Sequence, residues 1–135
     1  MDQSQHSAWM VDAQGLSRVY PRRGETPITA VKETSLQIRS GEIFSLLGPN
    51  GAGKTTTISM LCGLVRPTTG DAWIGGHSIK QNPLEAKRLL GVVPQEIALY
   101  EGLSARHNLE FFGRLQGKAG AELARLVDEV LDFVD

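Results

Sequence analysis

The sequence is poor in the residues that staple or anchor a protein. Cys62 is the single cysteine of 135 residues, so there is neither an internal disulfide nor a cysteine metal cluster, and a reduced cytosolic setting fits. Cys62 reads as a small apolar residue for the interior. The histidines His6, His77 and His107 have no metal-ligand spacing. No run approaches the roughly 18 apolar residues that a membrane-spanning helix needs. Met1 to Ala8 are polar, without the basic and apolar stretches of a signal peptide. A net charge of −1 and no basic stripe give no electrostatic argument for nucleic acid or anionic lipid. Internal repeats and low-complexity tracts are missing too. What remains, 41% hydrophobic and 21% charged, is the composition of one ordinary globular domain.

Against these absences one stretch stands out: Gly48, Pro49, Asn50, Gly51, Ala52, Gly53, Lys54, Thr55, Thr56. It fits the phosphate-loop pattern G-x-x-x-x-G-K-[ST] at every fixed position. The glycines let successive N–H groups converge on one cavity at a helix start, which suits an anion. Lys54 would reach the β- and γ-phosphates, the Thr55 hydroxyl would ligate Mg²⁺, and Thr56 would add a donor to the α-phosphate. Ile43 to Leu47 enters the loop as a strand-like apolar run. Thr56 to Leu64 leaves it with Ile58, Leu61 and Leu64 at helical spacing. Strand, Gly-rich loop and helix together point to a nucleoside triphosphate.

In order, Trp9 to Tyr20 reads as strand, a break at Gly15 and a second extended piece. Pro21 to Pro27 reads as loop and Val31 to Ile38 as strand. Ser40-Gly41-Glu42 suggests a tight turn with an antiparallel return into Ile43 to Leu47. Arg66 to Asp71 is a turn, and Ala72 to Ile74 a short strand ended by Gly75-Gly76. Asn82, Pro83 and Glu85 mark a capped helix start, with Gly91 ending that helix. Val92-Val93 reads as a further strand before Pro94-Gln95. Ser104 caps a helix running to about Gln116. After the Gly117 to Gly120 break, Leu123, Leu126, Val127, Val130, Leu131 and Val134 make an amphipathic helix.

The run from Gly41 through Thr57, Gly70 to Gly76, and Gly91-Val92-Val93-Pro94-Gln95-Glu96 resemble the nucleotide-binding domain of ABC transporters. The wording around Leu99-Tyr100-Glu101-Gly102-Leu103-Ser104 is most similar to the ATP-binding subunits of drug- and antibiotic-type exporters. The resemblance runs from about Trp9 to Asp135, with residues 1–8 as a polar N-terminus. It implies an α/β P-loop NTPase fold of ABC type: an antiparallel β subdomain, the P-loop strand and helix, and the start of the helical subdomain. It also implies that Tyr20 stacks on adenine, and that Gln95 reaches Mg²⁺ and the attacking water. ATP and Mg²⁺ are the implied cofactors. A separate transmembrane permease subunit and a second nucleotide-binding domain are the implied partners, at the inner face of the cell membrane, with no nucleic acid. Gln95 to Leu103 would face the membrane subunit with Leu99 and Tyr100 as apolar contacts, although such a pair can equally form a small satellite core. His107 stands where the family pattern has glutamate, so the capping box with Ser104 loses a bond, at a few tenths of a kcal/mol when the imidazole is protonated.

The family's hydrolytic parts do not all occur in these residues. There is no Leu-Ser-Gly-Gly-Gln signature, no apolar strand ending in Asp-Glu, and no switch histidine. Asp128, Glu129, Asp132 and Asp135 fall on a helix face and cannot replace a strand-end pair. The expectation is the first half or so of one such domain, binding ATP without turning it over, and of limited stability because a central strand lacks its parallel neighbours. A non-transport ATPase of the same superfamily and an ATP-binding regulatory module are alternatives. A P-loop kinase or GTPase fits less well, since Tyr20 and Pro94-Gln95 do not suit it and Asn-Lys-x-Asp is absent.

Overall fold

A computed structural model describes residues 9–96 and 98–134. The readings of Met1 to Ala8, His6 and Asp135 lie outside these residues. The chain divides into two compact units, Met1–Val92 and Val93–Asp135.

The first unit is built on a four-stranded antiparallel sheet of order β2-β1-β3-β4. Its strands are β1 (Val11–Tyr20), β2 (Ile28–Ile38), β3 (Thr69–Ile74) and β4 (His77–Ser78). Strand β1 is central, pairing Val11 with Ile38 on one side and with Ile74 on the other. Gly15 does not break it. Instead the register of both ladders shifts there, with Gly15 at φ 58 and Gly70 at φ 73. The approach is so close that a Cβ on Gly70 would lie 2.2 Å from the Gly15 carbonyl oxygen. The short β4, which the sequence did not suggest, is tied by the Ser78 hydroxyl donating to Asp71 Oδ2 at 2.6 Å. That hydroxyl in turn accepts from the amides of Lys80 and Gln81.

Helix α1 (Lys54–Leu61) lies on this sheet. Ala13, Leu16, Val31, Ala72 and Ile74 from the strands pack with Met60, and with Ile79 and Ala86 beyond β4. The face that α1 buries is Thr57 and Met60. Ile58 and Leu61 fall within α1 as expected, whereas Leu64 lies beyond its end at Leu61; Ile58 and Leu64 are exposed. Helix α2 (Pro83–Arg88) starts at Asn82 as expected, but the Asn82 side chain makes no capping bond. The helix stops at Leu89, ahead of Gly91.

Two apolar runs expected as strands are not strands. The turn at Ser40 to Glu42 forms, with the Glu42 amide on the Arg39 carbonyl at 3.3 Å and the Arg39 amide on Glu42 Oε2 at 2.8 Å. Beyond it, residues 42–49 have no ladder partner among the described residues, and Ile43 and Leu47 are 96% and 89% exposed. Val92-Val93 is likewise unpaired and exposed. An apolar run becomes a strand only against a neighbour that takes its N–H and C=O groups. The described residues offer these two runs none.

The second unit holds α3 (Ala105–Leu115) and α4 (Gly120–Val134). Ser104 caps α3 as expected, its hydroxyl accepting from the His107 amide at 3.2 Å. The His107 ring is not idle, because its Nδ1 lies 3.1 Å from the same hydroxyl. At the other end, the Gly117 amide reaches the Arg114 carbonyl and the Lys118 amide the Gly113 carbonyl, both at 2.9 Å. That pair of bonds is the Schellman closure of a helix. Leu123 and Val127 of α4 are buried, and Arg106 pairs with Asp128 at 2.7 Å.

Candidate nucleotide site

The P-loop is held from below by one close approach. Gly53 takes φ 86 at the start of α1, and a Cβ there would meet the Ala30 carbonyl oxygen at 2.4 Å and Val31 at 3.0 Å. Only glycine accepts both the left-handed backbone and the contact. The loop is thereby seated on the beginning of β2. The Ala52 amide donates to the Pro49 carbonyl at 3.2 Å and the Thr57 amide to the Gly53 carbonyl at 2.8 Å, with the Thr57 hydroxyl on the same oxygen at 3.0 Å.

Above this seat the polar groups are open. Helix α1 has no side-chain cap, so the amides of Lys54, Thr55 and Thr56 point out of its first turn with no acceptor among the described residues. The positive end of the helix dipole adds to them. Lys54 folds back over the loop, its Nζ donating to the carbonyls of Gly48 and Pro49 at 2.7 and 2.8 Å. Thr55 is exposed, and its hydroxyl makes no hydrogen bond among the described residues. Gly48, Pro49, Asn50, Gly51 and Ala52 are exposed as well. A cavity of about 350 Å³ lies beside the loop, lined by Thr29 to Lys32 and Thr34 of β2 together with Leu46, Leu47, Lys54 and Thr57. The β2 lining was not legible in the sequence; it follows from the contact between Gly53 and Ala30. No carboxylate is among the described residues that line the cavity.

Tyr20 ends β1, opposite Ile28 of β2 and so two residues from the carbonyl that seats Gly53. Its half-buried ring lies under the Arg18 guanidinium, whose carbon is 4.4 Å from the ring centroid. Gln95 belongs to the second unit, where it is exposed in an irregular stretch. The described part of that stretch carries Leu99 and Tyr100, both exposed, with the Tyr100 ring against Phe111 and Phe112 at centroid distances of 5.1 and 6.2 Å. Asn108, which sequence reasoning did not single out, is buried beneath this stretch. It accepts from the Tyr100 amide at 2.8 Å and donates to the carbonyls of Tyr100, Leu103 and Ser104 at 3.1 Å. Cys62 is partly buried, and that burial pushes its thiol pKa up, as suits an inert side chain. Among the described residues no group of histidine, cysteine or acidic side chains could hold a metal on its own, and no helix is long and apolar enough to cross a membrane.

This geometry has known counterparts. The linearmycin resistance ATP-binding protein LnrL of Bacillus subtilis is 43% identical over 125 residues, which is 93% of this chain and 39% of that protein. ABC transporter A family member 3 of Arabidopsis thaliana is 45% identical over 121 residues, 89% of this chain and 13% of its own length. The chain therefore spans well under half of the curated relatives it matches. Among solved structures, the post-hydrolysis dimer of the ATP-binding cassette MJ0796 bound to ADP and Pi superposes with a TM-score of 0.75 at 28% identity, over 91% of this chain and 56% of that one. A second dimeric structure of MJ0796 gives a TM-score of 0.77 at 26% identity. The fold is thus that of an ABC ATPase cassette over about half of the cassette's length. The ABC transporter family profile covers residues 31–134, taking in the P-loop, Gln95 and the α3–α4 pair, and the chain belongs to that family.

Proposed function

We propose that these residues form the ATP-holding part of the ATP-binding subunit of an ABC exporter, the N-terminal part of one nucleotide-binding domain. The carrying observation is the start of α1, where the amides of Lys54, Thr55 and Thr56 have no acceptor among the described residues and the Lys54 ammonium lies over the loop. A triphosphate fits that cradle. Its oxygens would take the amides of Lys54, Thr55 and Thr56, and Lys54 would exchange the Gly48 and Pro49 carbonyls for charged β- and γ-phosphate oxygens, a stronger class of hydrogen bond. The exposed Thr55 hydroxyl, which makes no hydrogen bond among the described residues, suits Mg²⁺, which favours oxygen ligands and keeps several waters. Gln95 would supply a further oxygen in the assembled domain, and Tyr20 a flat surface for adenine. The printed descriptions of LnrL as an ATP-binding protein and of MJ0796 with ADP and Pi support this reading.

Turnover needs more. Attack of water on the γ-phosphate requires a group that orients the water and charge that stabilises the transition state. The described cavity lining contains no carboxylate; in this reading these residues hold ATP, and the groups that drive hydrolysis belong to the complete domain. In that form the subunit works at the inner face of the membrane as a pair of cassettes, a state supported by the dimeric MJ0796 structures. A separate membrane subunit carries the substrate and meets the stretch from Gln95 to Leu103. An ATP-binding regulatory module shares the lack of a cavity carboxylate; ATPase activity in the full-length cassette would exclude it.

Calorimetric titration of the chain with ATP and Mg²⁺, beside Lys54→Ala, tests the binding claim. Saturable binding in the unsubstituted chain, lost in the variant, is expected. Equal binding by both would place the nucleotide elsewhere and overturn the assignment.

A further inference from the structure

Arg18 and Tyr20 are two residues apart on β1 and so share one face of the sheet. The guanidinium carbon of Arg18 sits 4.4 Å from the Tyr20 ring centroid, within the range of a cation–π contact. The guanidinium is also anchored by Nη1, which donates to the Arg66 carbonyl at 2.8 Å. The segment that presents this carbonyl is itself tied to β1. The Thr68 amide donates to the Ser17 carbonyl at 2.8 Å, and the Val19 amide donates to the Thr68 hydroxyl at 3.0 Å. Arg18 Nε is buried and has no hydrogen-bond partner among the described residues. A buried N–H left unpaired carries a cost, and a lysine or glutamine at this position would avoid it. The planar group is therefore held over the ring at some expense.

A tyrosine ring has two faces, and Arg18 occupies one of them. We propose that Arg18 is a positioning residue for the nucleotide base: it covers one face of Tyr20, holds the ring still, and directs a purine onto the opposite face. The proposal rests on the reading that Tyr20 stacks on adenine. Two physical effects give Arg18 leverage. A ring already held in place loses less side-chain freedom when a base stacks on it. A cation on one face also draws electron density from the ring, which eases stacking with an electron-rich purine on the other. Neither effect touches the phosphates, so Arg18 should act on the base and leave the triphosphate alone.

That separation defines the experiment. Affinities for ATP and for inorganic tripolyphosphate, each with Mg²⁺, are measured by calorimetry on the chain and on Arg18→Ala, Arg18→Gln, Arg18→Lys, Tyr20→Ala and the Arg18→Ala/Tyr20→Ala pair. Tyr20→Ala should weaken ATP roughly tenfold, on the scale of one lost base stack. Arg18→Ala should weaken ATP about three- to fivefold, the scale of an exposed cation–π contact, with tripolyphosphate unchanged. Arg18→Gln, which can keep the bond to the Arg66 carbonyl, should behave like Arg18→Ala, and Arg18→Lys should recover most of the loss. In the Tyr20→Ala background Arg18→Ala should add nothing. If the Arg18 variants weaken ATP and tripolyphosphate alike, Arg18 is only a structural tie and the proposal is overturned. If Tyr20→Ala weakens ATP while the Arg18 variants do not, the proposal falls and the adenine reading stands. If Tyr20→Ala leaves ATP binding intact, both fall together.

Discussion

The antiparallel sheet and the segment that leads into the P-loop are both apolar, yet only one of them is a packed structure. In the sheet, Leu16 and Ile74 are each 1% exposed and every strand has a partner. In residues 42–49 the apolar run Ile43 to Leu47 meets no strand among the described residues, and Leu47 is 89% exposed. The difference is lateral. Strands β1 and β2, and β3 and β4, pair with their neighbours in sequence, and β3 returns to β1 after the P-loop and α1. The run before the P-loop shares a cavity with β2 instead of pairing with it. The loop that follows holds its place without a strand, because Gly53 rests on Ala30. A binding loop can therefore be anchored by one contact at its end while the segment feeding it stays open.

The sharpest way to break this contrast is to remove the same side chain from each region. Leu16→Ala should cost about 2–5 kcal/mol in urea or thermal unfolding, as buried leucines do. Leu47→Ala should change stability by no more than about 0.5 kcal/mol, as exposed positions do. Equal losses would show that residues 42–49 are packed in solution and that the two regions do not differ.

What was legible in the sequence, and what was not, follows the same division. The P-loop could be read because its requirements are local: glycines where the backbone turns, a lysine and threonine at a helix start. The sheet is legible from alternation and turn residues, although Gly15 reads as a break where the structure has a register shift. Ile43 to Leu47 and Val92-Val93 read as strands because an apolar run looks the same with or without a partner. Strand β4 was missed because two residues carry no periodicity; it depends on Ser78 meeting Asp71. The β2 side of the cavity and the Asn108 clamp are tertiary, set by contacts that no local pattern announces.

The P-loop anchor can be tested next. Gly53→Ala sets a Cβ against the Ala30 carbonyl and forces φ 86 on an L-residue. It should cost about 1–3 kcal/mol and abolish ATP binding in the same calorimetric titration. Gly51 has a similar φ of 82 but open space around it. Gly51→Ala should therefore carry the backbone strain alone and retain weakened binding. If Gly51→Ala were the worse of the two, the contact with Ala30 would not be what seats the loop.

A more local effect concerns the second unit, where Tyr100 to Ser104 is also exposed and, among the described residues, also without a strand partner. Unlike residues 42–49, this stretch is not left open, because Asn108 gives it four hydrogen bonds from a buried position. A single amide serves there as a ladder does in the sheet. Asn108→Ala leaves the Tyr100 amide and three carbonyls without that partner, at a cost of about 1–3 kcal/mol if they stay buried and less if water reaches them. Hydrogen exchange should localise the change, with faster exchange at Tyr100 and its neighbours and little change in β1. Unchanged exchange at Tyr100 would mean that the aromatic contacts with Phe111 and Phe112 suffice to hold the stretch. In that case a surface can be ordered by its own exposed rings, without a buried polar partner beneath it.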